Sequence, residues 1–214
     1  MTEARARILD RIRRATEGRT DAVAVDARLS AQAQTAPVPQ LGATEGEARI
    51  AQFVEKAQAV DASVTRIETA ALPEALAAEL RARNLPAAIR TGTDPLFDRD
   101  WGSVERTVGI GRPHEPATLS RAHLASAETG TLLLASGPNN PVTLTFLGET
   151  HFVALREADI CAGFEEMWAR WRATGHDPRT VNLVTGPSRS ADIGQKLQLG
   201  AHGPVALHIF LLAD

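Results

Sequence analysis

Residues able to do chemistry gather in three glycine-containing loops of this 214-residue chain. The first, Glu128-Thr129-Gly130-Thr131, leads into the apolar run Leu132–Ala135. The second, Gly186-Pro187-Ser188-Arg189-Ser190-Ala191-Asp192, follows the apolar segment that ends at Thr185. The third, Gly200-Ala201-His202-Gly203-Pro204, stands just ahead of the last apolar segment. A carboxylate such as Glu128 beside a strand can act as base, nucleophile or ligand anchor, and it can equally brace an arginine. His202 sits between glycines that let backbone approach closely, and suits a general acid or base, a ligand donor or a buried structural histidine. In the second loop Gly186 permits a sharp turn, and Ser188 or Ser190 is placed to cap a following helix. Such a helix N-terminus would aim free N–H groups at an anion, with Arg189 as a bidentate clamp and Asp192 in the first turn. The same residues also describe a plain capped helix with a dipole-matched aspartate.

These loops define the candidate site. Glu128 and His202 are the candidate catalytic residues. Thr129, Gly130, Thr131, Gly186, Ser188, Arg189, Ser190, Asp192, Gly200 and Gly203 are the candidate ligand-binding residues, expected to meet in one pocket that accepts an anion. Several other chemistries are excluded. Ser188, Asp192 and His202 lack a Gly-x-Ser-x-Gly elbow, and neither a Walker A loop nor a Gly-x-Gly-x-x-Gly turn is present. The six histidines never fall in an H-x-x-x-H pattern, so no metal site is expected. Cys161 is the one cysteine, which rules out an internal disulfide and an iron–sulfur cluster held by this chain alone. Tyrosine is absent and lysine is confined to Lys56 and Lys196, so anion contacts fall to arginine and backbone amides.

The elements that must position these loops alternate between helix and strand. Residues 3–16 read as a helix with an apolar stripe (Ile8, Leu9, Ile12) and a basic face (Arg7, Arg11, Arg14), either a docking arm or a solvated helix. Residues 20–43 read as a linker with Pro37 and Pro39. From Thr44 the pattern tightens: a capping-box spacing at Thr44–Glu47, a helix through Ile50, Phe53, Val54 and Ala57, and an extended stretch at 62–67. A helix from Pro73 to Arg83 precedes strands at 87–89, 104–110, 130–135 and 151–155. Ile160, Phe164, Met167, Trp168 and Trp171 form one helical face, and strands at 181–184 and 205–212 close the chain. Continuous apolar strands alternating with helices predict an α/β fold. Its expected form is an open Rossmann-like, mainly parallel sheet with helices on both faces, plus an N-terminal helical extension. The expected domains are 1–43 and 44–214, with ligands outside the carboxyl ends of the strands. A net charge of −3 argues against a nucleic-acid binder. No apolar run reaches the length of a membrane span, and the charged N-terminus lacks a secretory core, so a cytoplasmic location is expected.

Taken in order, Glu128-Thr129-Gly130-Thr131, then Thr185-Gly186-Pro187-Ser188-Arg189-Ser190-Ala191-Asp192-Ile193, then Gly200-Ala201-His202-Gly203-Pro204 with Leu207-His208-Ile209 resemble the LutC/YkgG lactate-utilization proteins. The shared unit is the LUD domain, and the resemblance runs from about Thr44 to the C-terminus. The family's motif has Glu after Ala-Asp-Ile, where this chain has Gly194. The resemblance implies a fold similar to the NagB/RpiA/CoA-transferase group. It also implies a place in a bacterial system that oxidises L-lactate to pyruvate with iron–sulfur partner proteins, this chain being the cluster-free member. Two alternatives use the same scaffold: a CoA-transferase-like enzyme with Glu128 as the acyl-accepting nucleophile, and a sensor of small anions.

Overall fold

The computed structural model describes residues 3–17, 21–35, 38–191 and 197–213. The chain divides into two units, residues 1–38 and 39–214. The first unit holds α1 (Glu3–Thr16) and α2 (Ala22–Thr35). The first helix is the expected one, and Arg14 pairs with Asp10 one turn back at 2.7 Å. The second helix stands where a linker was expected. Asp21 Oδ1 accepts from Val23 N at 3.0 Å and Ala24 N at 3.3 Å, which caps an alanine-rich run. Alanine sustains a helix on propensity alone, so no apolar period announces it.

The second unit opens with a 3-10 turn at Gln40–Ala43, then α3 (Gly46–Ala59), β1 (Ser63–Glu68) and α4 (Leu72–Ala82). Strands β2 (Ala88–Thr91), β3 (Glu105–Val108), β4 (Glu115–Arg121), β5 (Leu124–Ser126) and β6 (Thr131–Ala135) follow, then α5 (Val142–Phe146). The remainder is β7 (Gly148–Arg156), β8 (Ile160–Cys161), α6 (Phe164–Ala173), β9 (Val181–Val184), β10 (Arg189–Ala191), β11 (Leu197–Leu199) and β12 (Ala206–Ala213). The main sheet has six strands in the order β1-β12-β7-β4-β2-β3, every pair parallel. A second, four-stranded sheet, β8-β5-β6-β9, is mostly antiparallel, and β10 and β11 make a separate two-stranded ribbon. The α/β class and the parallel main sheet agree with the periodicity. Strand β4 was hidden by its polar composition: Thr118 and Ser120 are fully buried within it. The expected capping box does not form either. The helix begins after Glu45, Thr44 Oγ1 is buried without a partner among the described residues, and Glu47 pairs with Arg66.

The two faces of the main sheet feed two cores. Phe152 and Ala154 of β7 and Phe210 and Leu212 of β12 pack under Leu72, Leu76 and Leu80 of α4. Val153 and Leu155, with Leu207, Ile209 and Leu211, face the other way. They meet Phe53 and Ala57 of α3 together with Leu132 and Leu134 of the second sheet. The far side of that second sheet is closed by Met167 and Trp171 of α6 over Leu133 and Cys161. Helices therefore cover both faces of the parallel sheet, α4 on one side and α3 beside the second sheet on the other.

Gly130 shows how tightly this arrangement is held. Its φ of 68° lies in the left-handed region, and a Cβ there would come within 2.4 Å of Ala57 N on α3. Gly175 has a similar φ of 66°, yet a Cβ there meets nothing within 4 Å. Gly130→Ala is expected to destabilise by roughly 2–4 kcal/mol, backbone strain and overpacking combined, and Gly175→Ala by about 1–2 kcal/mol, strain alone. Urea unfolding of the two variants checks the difference; equal losses would contradict the packing account.

Two histidines are buried inside the sheet. His208 of β12 is 1% exposed, with Nδ1 2.7 Å from Ser63 Oγ, while Arg83 bonds that same hydroxyl at 2.8 Å and Glu79 at 3.1 Å. Burial pushes His208 down to about 4, against a smaller opposing pull from Glu79, and pushes His151 of β7 down to about 3. The unfolded chain takes up protons at these rings near pH 6.5, while the folded protein does not until far lower. Acid therefore favours unfolding, and stability rises with pH across this window and levels off above about 7. Between pH 7 and pH 5 the two rings together should withdraw roughly 2–4 kcal/mol. Urea midpoints at the two pH values test this, with a flatter profile expected for His208→Asn.

Candidate functional site

The second and third loops meet, as their residue types suggested, but the backbone between them is not helical. Ser188 N donates to Pro204 O at 2.9 Å, and Gly200 N donates to Ser188 O at 3.0 Å. Arg189 to Ala191 then pair antiparallel with Leu199 to Leu197. Where the expected capped helix would begin, Arg189–Ala191 is a strand, and the residues that would continue the helix, 192–196, lie outside the described residues. The edge of this strand that faces Leu197–Leu199 is paired, so among the described residues this loop presents no helix N-terminus to an anion. The local pattern explains this: the flanks of the loop, Arg-Ser-Ala and Leu-Gln-Leu, suit a ribbon. Ser190 lies in β10, and Asp192 and Gly194 lie outside the described residues.

Between these loops and the start of β7 is a cleft of about 240 Å³. Gly186, Ser188, Arg189, His202 and Gly203 line it, joined by Thr145 and Phe146 of α5, His151 of β7, Leu207 of β12 and Leu183–Thr185 at the end of β9. Gly186 has φ 74° and a Cβ there would lie 2.3 Å from Val60 O, so only glycine fits this turn. Gly203 approaches Ser188, and His202 N donates to Ser188 Oγ at 3.3 Å. The His202 ring is at the exposed rim. Arg189 also stands at the rim, ion-paired with Asp61. Both partners are about half exposed, so the pair orients the guanidinium more than it stabilises the fold. Gly200, with φ 74°, turns the chain from β11 back toward the rim.

The first loop supports the cleft from behind. Thr129, Gly130 and Thr131 do not line it. Thr129 Oγ1 bonds Thr131 Oγ1 at 2.6 Å, and Thr131 Oγ1 bonds Thr185 Oγ1 at 2.7 Å, so a chain of hydroxyls ends on the cleft wall. Glu128 is elsewhere. Its backbone N donates to Ala162 O at 3.0 Å and its carboxylate lies against Gly163, the residue that opens α6. There the carboxylate faces the positive end of the helix rather than His202. The two candidate catalytic residues are not brought together.

The cleft also lies at the opposite end of the main sheet from the one expected. Pro204 precedes β12 and Phe146 precedes β7, so the site is at the amino ends of the parallel strands. It meets the carboxyl end of β9, which belongs to the second sheet. At the carboxyl ends of the parallel strands, Arg121 instead stands between Asp94 at 3.8 Å and Asp159 at 3.6 Å.

Two lining residues were missed by sequence reasoning. His151 is fully buried and Thr145 is 2% exposed. Neither ring nitrogen of His151 nor Thr145 Oγ1 has a hydrogen-bond partner among the described residues. Burial, with no compensating charge, holds the His151 ring neutral. The available signal was a histidine opening an otherwise apolar strand, His-Phe-Val-Ala-Leu, a pattern that reads first as core. Cys161 is buried beneath α6, and burial pushes its thiol up to about 11, which leaves it a poor nucleophile.

Comparison with known proteins bears on the same region. The LUD domain family model matches residues 116–212, which include α5, β7, β9 and β12. The lactate utilization protein C of Anoxybacillus flavithermus is 33% identical over 121 residues, 56% of this chain. That of Geobacillus sp. is 29% identical over 191 residues, covering 75% of this chain and 79% of the relative. The chain spans about half the length of the Anoxybacillus relative, 51%. Among solved structures, a DUF162 family protein from Deinococcus radiodurans superposes with a TM-score of 0.64 at 19% identity. The superposition covers 79% of this chain and 99% of that one, which establishes the shared fold. Residues 116–212 thus match a LUD domain, the chain is similar in sequence to lactate utilization C proteins, and it shares the fold of the DUF162 family structure.

Proposed function

We propose that this protein acts in lactate utilization, as a cluster-free component that works with iron–sulfur partner proteins and holds a small carboxylate in the cleft below Ser188 and Gly203. The observation that carries the reading is the run of relatives named lactate utilization protein C, including those of Anoxybacillus flavithermus and Geobacillus sp.. The chemistry of the chain is consistent with it. One buried cysteine with a raised pKa cannot ligate a cluster alone, so the electrons of an oxidation must travel through partners. What this chain can contribute is binding, positioning and proton handling. A cleft smaller than the ~300–1,000 Å³ of drug-sized sites, with hydroxyls, backbone amides and imidazoles on its walls, suits a ligand of a few heavy atoms.

Deleting the gene is expected to impair growth on L-lactate and to spare growth on pyruvate. In reconstitution with L-lactate and an artificial electron acceptor, this chain alone should be inactive, and activity should appear once iron–sulfur partners are added. Partners that turn over lactate at full rate without it would overturn the reading.

A further inference from the structure

We propose that Arg121, Arg170 and His123 form a second ligand site, for a phosphate-type oxyanion, at the end of the main sheet opposite the cleft described above. The inference goes beyond the functional reading and does not depend on it. It starts from Arg121, the last residue of β4, whose side chain is 27% exposed. None of its guanidinium N–H groups makes a hydrogen bond among the described residues. Asp94 and Asp159 stand 3.8 Å and 3.6 Å away, close enough to balance its charge and too far for a hydrogen bond. Arg170 of α6 comes within 3.5 Å of the same Asp159 carboxylate. Two guanidinium groups therefore converge on one acid that leaves the donors of Arg121 unused. Polar groups so largely withdrawn from water are rarely left unpaired.

The surroundings suit an anion. Arg121, His123, Asp159, Arg170, Trp171 and His176 line a cleft of about 320 Å³. Of the Arg121 nitrogens only Nε is sealed from solvent without a partner, so the two terminal ones open on that cleft. Ala135 N donates to His123 Nδ1 at 3.3 Å, which puts the proton of the neutral ring on Nε2 and adds a third donor to the wall. Trp171 packs edge-on against His123 and His176, with ring centres 5.6 Å and 5.9 Å apart, and holds both imidazoles in place. The location is also apt. After β2 the chain winds outward to β3, and from β4 it winds back through β7 to β12, so the sheet reverses direction between β2 and β4. Asp94 and Arg121 stand outside the carboxyl ends of that pair, the crevice in which open α/β sheets hold ligands. A tetrahedral oxyanion offers enough acceptors to reach both guanidinium groups and the His123 N–H together, in charge-assisted contacts. Asp159 is then a placeholder that balances the two cations until the oxyanion displaces it.

Calorimetric titration of the full-length protein with sodium phosphate tests this, in the presence and absence of sodium acetate and sodium L-lactate. Phosphate is expected to bind saturably, and neither carboxylate should displace it. Arg121→Gln and Arg170→Gln should each weaken phosphate binding at least about tenfold, the factor for losing a charge-assisted hydrogen bond. Asp159→Asn should strengthen it, because the competing negative charge is gone. A purely structural ion pair predicts lost stability in all three variants and no such gain in affinity. Should Arg121→Gln fail to fold, Arg170→Gln decides, since that side chain is 36% exposed. An absence of saturable binding, an unchanged affinity in the Arg170 variant, weaker binding by Asp159→Asn, or displacement by L-lactate would overturn the inference. None of these results bears on growth on L-lactate, which tests the functional reading separately.

Discussion

Strands β7 and β12 lie side by side in the middle of a parallel sheet, and both of their faces must leave water. Most of the architecture follows from that requirement. Alternate side chains point into separate cores, and each core needs its own cover. On one face α4 supplies it. On the other, α3 is too narrow to span the strands, and the second sheet completes the cover with Leu132 and Leu134. The second sheet in turn has an outer face, which α6 closes. Gly130 is where the layers come closest, with the loop backbone resting on that of α3.

A seam remains where the two sheets stop shielding one another, at the amino ends of β7 and β12. Hydroxyls and an imidazole join the apolar side chains there: Thr185, Thr145, Ser188 and His151 beside Phe146, Leu183 and Leu207. The seam is bounded by segments far apart in the chain, yet its walls are tied to one another. Thr185 is tied to β6 by its hydroxyl, and Ser188 is tied to Pro204 by its backbone. Residues of the first loop act on the seam through these ties without reaching it.

Much of the fold could be read in the sequence because its strands are continuous and apolar and its helices keep a clear period. The α/β class, the parallel main sheet and the helices over Phe53 and Met167 all came from that signal. What escaped lacked it. Helix α2 rests on alanine propensity and an aspartate cap, and β4 hides buried threonine and serine behind a polar composition. The site was half readable. Glycines at 186 and 203 marked real close approaches, but the second loop was expected to lead into a capped helix, and the pairing across β10 and β11 makes Arg189–Ala191 a strand instead. Glu128 drew attention by its charge and serves a helix terminus. His151 and Thr145 were invisible because a polar residue in an apolar run looks like core until its missing partners are counted.

The burial of Cys161 has a use beyond packing. Its Sγ lies under α6 beside Met167 and Trp171 and accepts a weak hydrogen bond from Arg170 at 3.5 Å. As the chain's only thiol, it offers alkylating reagents a single target that the native layers conceal. Labelling can proceed only when α6 lifts from the second sheet, so thiol modification faster than global unfolding would clock the opening of that one layer.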